Sequence, residues 1–175
     1  RTDTLDVDQR LKITSLTFLF TDLRGSTALY ERVGDLAAFE LVKAHFGALT
    51  DIVAGEAGAV VKTIGDAVMA TFPEPARAVA AAMRMREAMR CLNEGGGSED
   101  LLLKIGIHEG PCIAVSLNER QDYFGQTVNI ASRVQHLAAA QEIFATGAVL
   151  GDPRVADFLA ARAVTPLPQD TPLRG

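Results

Sequence analysis

The chain has only two cysteines, Cys91 and Cys112, in 175 residues. That is too few for a disulfide framework or a thiolate metal site. Both stand among apolar neighbours and read as small core residues. No run approaches the ~18 uninterrupted apolar residues of a membrane span, and the N-terminus lacks the basic-then-apolar pattern of a secretory signal. Positive charge is not in excess either. A net charge of -5 argues against general nucleic-acid binding, which needs a basic face. Glycine and proline are ordinary in amount, which excludes a fibrous or wholly disordered chain, and no internal repeat is present. What remains is 48% apolar residues, enough for one globular domain with a sizeable core.

Residues 1–14 are polar and charged and read as a lead-in segment. "SLTFLFTD" (Ser15–Asp22) is a β-prone run that ends at the loop "LRGST". Apolar residues then recur at helical spacing from Leu29 to Val53, with Gly34-Asp35 dividing two helices. "AVVKTI" and "AVMATF" flank Gly65-Asp66, a hairpin signal. Pro73 and Pro75 open an alanine-rich helix to about Asn93, and "EGGGSED" (Glu94–Asp100) is a flexible internal loop. "LLLKIGIHEG" and "PCIAVSL" are strand-like, with a turn at Asn118–Arg120. Gly125–Ala138 has helical spacing and "EIFAT" (Glu142–Thr146) is a last strand. This order predicts an α+β fold with helices packed on one mostly antiparallel sheet.

Asp22 ends an apolar strand and Asp66 tips a hairpin. Carboxylates so placed are ligands for hard divalent cations, and two on adjacent strand ends can share two metals. The loop Leu23-Arg24-Gly25-Ser26-Thr27 leads into a helix, so its N–H groups could cradle phosphate oxygens. An aspartate in a turn or at a helix start is equally commonplace, and spacing alone does not bring the two together. Asn129 and Arg133, four residues apart, share a helix face. The pair suits a sugar oxygen beside a phosphate, and it also suits a solvated polar stripe.

Four motifs in order, "FTDLRGST", "VVKTIGDAVMA", "GIHEGP" and "DYFGQTVNIASRV", resemble those of class III adenylate/guanylate cyclase catalytic domains. The resemblance covers about Ser15 to Thr146. It implies the class III nucleotidyl cyclase fold, a ferredoxin-like βαββαβ core sheet with helices packed on it, over residues 15–175. It also implies an adenylate cyclase that converts ATP to 3′,5′-cyclic AMP and pyrophosphate with two divalent cations, Mg²⁺ or Mn²⁺. Asp22 and Asp66 match the metal-binding aspartates, and the Leu23 carbonyl would complete one shell. Lys62 and Asp122 match the purine selectors. Lys can donate to adenine N1 and Asp can accept from the 6-amino group, whereas guanylate cyclases typically carry Glu and a small residue such as Cys there. Asn129 matches the ribose-positioning residue and Arg133 the one that stabilises charge on the α-phosphate. Gly25, Ser26 and Thr27 belong to the phosphate-side loop, and Arg174 in "PLRG" matches a basic residue that contacts the terminal phosphates. The family's sites form between two protomers, so a homodimer with composite sites is expected.

Some features depart from the pattern. "CIAVSLNERQDYFG" is shortened and lacks the glycines usual after the "GIHxGP" strand, and Ala67 stands where glycine is frequent. The chain is expected to stop before a last strand and to come from a longer protein carrying regulatory domains. A cytoplasmic location without membrane contact from this part is expected. His108 reads as a core or sheet-face histidine. A silent cyclase homology domain and a guanylate cyclase are the alternatives. The intact residue set argues against the first, and Lys62 with Asp122 against the second.

Overall fold

The computed structural model describes residues 11–95 and 101–171. Strand β1 (Leu11–Arg24) leads into helices α1 (Ser26–Val33) and α2 (Asp35–Gly55). The β2 (Ala59–Ile64) and β3 (Ala67–Phe72) hairpin follows, then α3 (Pro75–Gly95). A second hairpin pairs β4 (Leu102–Leu117) with β5 (Arg120–Phe124). Helix α4 (Gln126–Leu137), β6 (Ile143–Ala145), α5 (Gly147–Leu150) and α6 (Pro153–Ala161) complete the described elements.

The sheet runs β2-β3-β1-β4-β5, and β6 pairs with β4. All pairings are antiparallel except β4 with β6. The expected α+β sheet with its βαββαβ core is present, with β1 at its centre. Thr17 to Thr21 are all buried because helices cover both faces of β1, so its pattern is continuous rather than alternating. Leu19 and Leu23 join Val68, Phe72, Ile105 and Ile107 under α2, α3 and α6. Phe18 and Phe20 face the other way and form a smaller core with Met69, Cys112 and Ala131 of α4. Cys112 is thus a core residue, while Cys91 is exposed.

Several boundaries differ from expectation. β1 starts at Leu11, not Ser15. Lys12 and Thr14 alternate with Leu11 and Ile13, a half-polar pattern that reads as lead-in until β4 pairs with it. Residues 1–10 lie outside the described residues, as do 96–100 of the expected loop. β4 is one strand of 16 residues; Gly110-Pro111 does not end it, and Pro111 simply pairs with Ser15. β5 was not expected. The turn before it uses Asn118 and Glu119, both at positive φ (52° and 64°), as a two-residue hairpin turn requires. No element was expected after Thr146, yet Asp152 caps α6 by accepting from the Arg154 N–H, with Pro153 in the first turn.

Helix α4 lies directly on the β4 backbone. A Cβ at Gly106 would sit 2.2 Å from the Gln135 nitrogen, and one at Gly110 would sit 2.6 Å from Thr127 Oγ1. Only glycine permits this approach, and it fixes where the Asn129 and Arg133 helix sits.

Candidate active site

Asp22 is half-buried and lies opposite Ala67 in the β1–β3 register. Asp66 precedes Ala67 in the β2–β3 turn, so the topology brings the two aspartates to one end of adjacent strands. Gly65, at φ 60°, occupies the turn position that needs left-handed geometry. Ser26 Oγ donates to Asp66 Oδ2 at 2.9 Å, tying this turn to the start of α1. Arg24 stands 3.9 Å from Asp22 Oδ2, with its side chain largely exposed.

Gly25, at φ 91°, is the N-cap of α1, and no side chain caps that helix. Its first-turn N–H groups are therefore open to an anion beside the two carboxylates. The Leu23 side chain is buried in the core, which leaves only its backbone for a ligand. Thr27 is exposed.

The donor chemistry fits hard divalent cations held jointly by protein and substrate. Among the described residues no group of three or more His, Cys, Asp or Glu is placed to hold a metal. Two carboxylates and a carbonyl suit ions that keep several positions for water and phosphate oxygens, as Mg²⁺ does.

The structure brings Lys62 and Asp122 together. Lys62 Nζ donates to Asp122 Oδ2 at 2.8 Å, and the Tyr123 N–H donates to the other carboxylate oxygen at 2.8 Å. Partial burial pushes the Asp122 carboxyl up. The hydrogen bonds from Lys62 and Tyr123, with the Lys62 charge, outweigh this and hold it below its ordinary value.

Asn129 and Arg133 share a face of α4, the first exposed and the second half-buried. No hydrogen bond or ion pair among the described residues joins them to the aspartates or to the Lys62–Asp122 pair. Arg174 lies outside the described residues. His108 sits on the sheet with Nδ1 2.6 Å from Thr146 Oγ1, and burial lowers its pKa. Clefts of about 480 and 730 Å³ lie elsewhere on the molecule, and none of the described candidate residues lines either.

Sequence reasoning missed how Asp122 is held. Tyr123 packs edge-to-face on Phe18, with centroids 5.6 Å apart and planes at 73°. The signal was the aromatic pair in "DYFG", once that segment is known to be a strand.

The chain matches the family described as Adenylate and Guanylate cyclase catalytic domain over residues 9–152. It belongs to that family. Adenylate cyclase 2 of Rhizobium meliloti is 35% identical to this cyclase domain over 134 residues, which is 69% of the chain and 36% of that protein. The crystal structure of the adenylyl cyclase CyaB from P. aeruginosa superposes with a TM-score of 0.75 at 26% identity, covering 84% of this chain and 83% of that one. The guanylyl cyclase Cya2 shares the fold, with a TM-score of 0.71 at 24% identity over 82% of this chain and 79% of that one. The cyclase domain spans about a third of the length of the curated relatives it matches. No helix among its described residues is long and apolar enough to cross a membrane.

Proposed function

We propose that this cyclase domain is an adenylate cyclase that makes 3′,5′-cyclic AMP and pyrophosphate from ATP in the cytoplasm. The observation that carries the reading is the Lys62–Asp122 contact of 2.8 Å. A cation and a carboxylate side by side offer a donor for adenine N1 and an acceptor for the 6-amino group. Guanine presents the opposite polarity and would face a donor with its own N1–H.

Asp22, Asp66 and the Leu23 carbonyl would hold two divalent cations, Mg²⁺ or Mn²⁺. Such ions, when bound, acidify the ribose 3′-hydroxyl and neutralise triphosphate charge. Ser26 holds the Asp66 carboxylate in place. The open N–H groups after Gly25 and the Thr27 hydroxyl receive phosphate oxygens, and Arg174 contacts the terminal phosphates. Asn129 orients the ribose. Its 3′-oxygen attacks the α-phosphorus and gives up its proton to solvent water, the bond to the bridging oxygen breaks, and pyrophosphate leaves. Arg133 places its planar fork on the charge that builds at the α-phosphate.

In this reading two chains complete each site. One supplies Asp22 and Asp66, and the other supplies Lys62, Asp122, Asn129 and Arg133. A two-fold dimer then carries two equivalent sites.

The test is incubation with ATP or GTP plus Mg²⁺ or Mn²⁺, followed by measurement of cyclic product. Cyclic AMP made preferentially from ATP is expected. Product from GTP alone, or none from either by verified dimers, overturns the assignment. Mixing Asp22→Ala with Arg133→Ala chains should restore activity in hybrid dimers; hybrids that form and stay silent would refute the shared site.

A further inference from the structure

Lys62 and Asp122 meet although the sheet order puts their strands at opposite edges. Lys62 aligns through Met69 with Phe20 of β1. Asp122 aligns through Val115 with Leu11. Those two points on β1 are separated by about 30 Å of extended strand, far beyond the reach of a lysine. The far half of the β1–β4–β5 ribbon must therefore coil back over the sheet, which long, strongly twisted ribbons can do.

The ion pair is a poor candidate for holding that closure. Both side chains are substantially exposed, at 44% for Lys62 and 33% for Asp122, and exposed pairs contribute little. A stronger tie lies one residue away. Tyr123 packs against the core that contains Phe18, Cys112 and Ala131, and stacks edge-to-face on the fully buried Phe18 ring. Its own N–H holds Asp122 Oδ1, and its hydroxyl donates to Gln121 Oε1 at 3.0 Å.

We infer that the Phe18–Tyr123 contact is the latch that folds the β4–β5 hairpin onto the sheet and so presents Asp122 to Lys62. Tyr123 is thereby a positioning residue for base selection. The inference deepens the adenylate cyclase reading and rests on it for its effect on substrate choice.

The test compares Tyr123→Ala, Tyr123→Phe and Phe18→Leu with the parent. Dissociation constants for 3′-deoxy-ATP and 3′-deoxy-GTP, which lack the attacking hydroxyl, report base selection without turnover. Tyr123→Ala should lower the ATP-to-GTP preference by about tenfold, the most an aromatic pair of this kind supports. The loss should appear in KM rather than kcat. Tyr123→Phe keeps the ring and should stay within about twofold of the parent. Phe18→Leu keeps the core filled and should reproduce the Tyr123→Ala loss even if that variant fails to fold. A folded Tyr123→Ala or Phe18→Leu protein with unchanged preference overturns the latch. If the parent cyclises neither nucleotide, the enzymatic reading fails on its own, and carboxyl NMR of Asp122 still tests the latch. Its titration should move up towards the ordinary aspartate value when the latch is cut; an unmoved titration overturns the inference.

Discussion

Replacing His45 tests how burial shapes the acid response of this domain. His45 lies on α2 with no exposed surface. Its Nδ1 is 2.9 Å from Met89 Sδ, its ring packs edge-to-face on Phe46, and Nε2 is buried without a hydrogen-bond partner among the described residues. Burial lowers its pKa from 6.5 to about 4, and the Asp66 charge offsets this only in part. Above pH 6.5 the ring is neutral in both folded and unfolded chains, so stability does not depend on its titration. Between 6.5 and 4 the unfolded chain takes up a proton that the folded chain refuses, and stability falls as pH falls. Below 4 both forms are protonated and the loss stops. At about 1.4 kcal/mol per unit, the full drop is about 3 kcal/mol. Urea unfolding at pH 7, 5.5 and 4 for the parent and His45→Leu isolates this contribution, because carboxylates titrate in both proteins. The parent should lose about 3 kcal/mol more than the variant on going from pH 7 to pH 4. Parallel losses would refute the claim that burial keeps His45 neutral.

Gly106→Ala places a methyl 2.2 Å from the Gln135 nitrogen, so α4 must shift. Denaturant titration should show a loss of about 1–3 kcal/mol, and kcat should fall because Asn129 and Arg133 ride on that helix. Ser26→Ala removes the hydrogen bond to Asp66; the metal concentration for half-maximal activity should rise, with cyclic-product assays across a Mn²⁺ series as the readout and an unchanged midpoint as the contrary result. Lys62→Glu combined with Asp122→Cys should move preference towards GTP by at least about tenfold, measured as the ratio of kcat/KM values; retained ATP preference would count against the base-reading pair.

The sheet, its central strand and the first hairpin were legible because their signals are local. "SLTFLFTD" is a strand on composition alone, and Gly65-Asp66 is a turn wherever it occurs. The pairing of Lys62 with Asp122 was legible only through motif resemblance, since a tertiary coil that no local pattern encodes brings them together. β5 escaped because Arg120-Gln121-Asp122 carries no apolar alternation, and its pairing comes from the left-handed turn at Asn118-Glu119. The seat of α4 was written in Gly106 and Gly110. A glycine marks a close approach only when the neighbour is known, and here that neighbour is a helix about 20 residues further along.

The outer edge of β4 has a further consequence. Two short strands of opposite direction tile it, β6 against Ile105–Ile107 and β5 against Ile113–Leu117. Between them stands Pro111, which has no N–H to offer, and whose carbonyl is already taken by Thr127 Oγ1 at 2.6 Å. A 16-residue strand thus presents no continuous template for another chain to extend by strand addition. The longest strand is thereby closed to intermolecular growth, and strand addition is left to the short terminal strands β2 and β5.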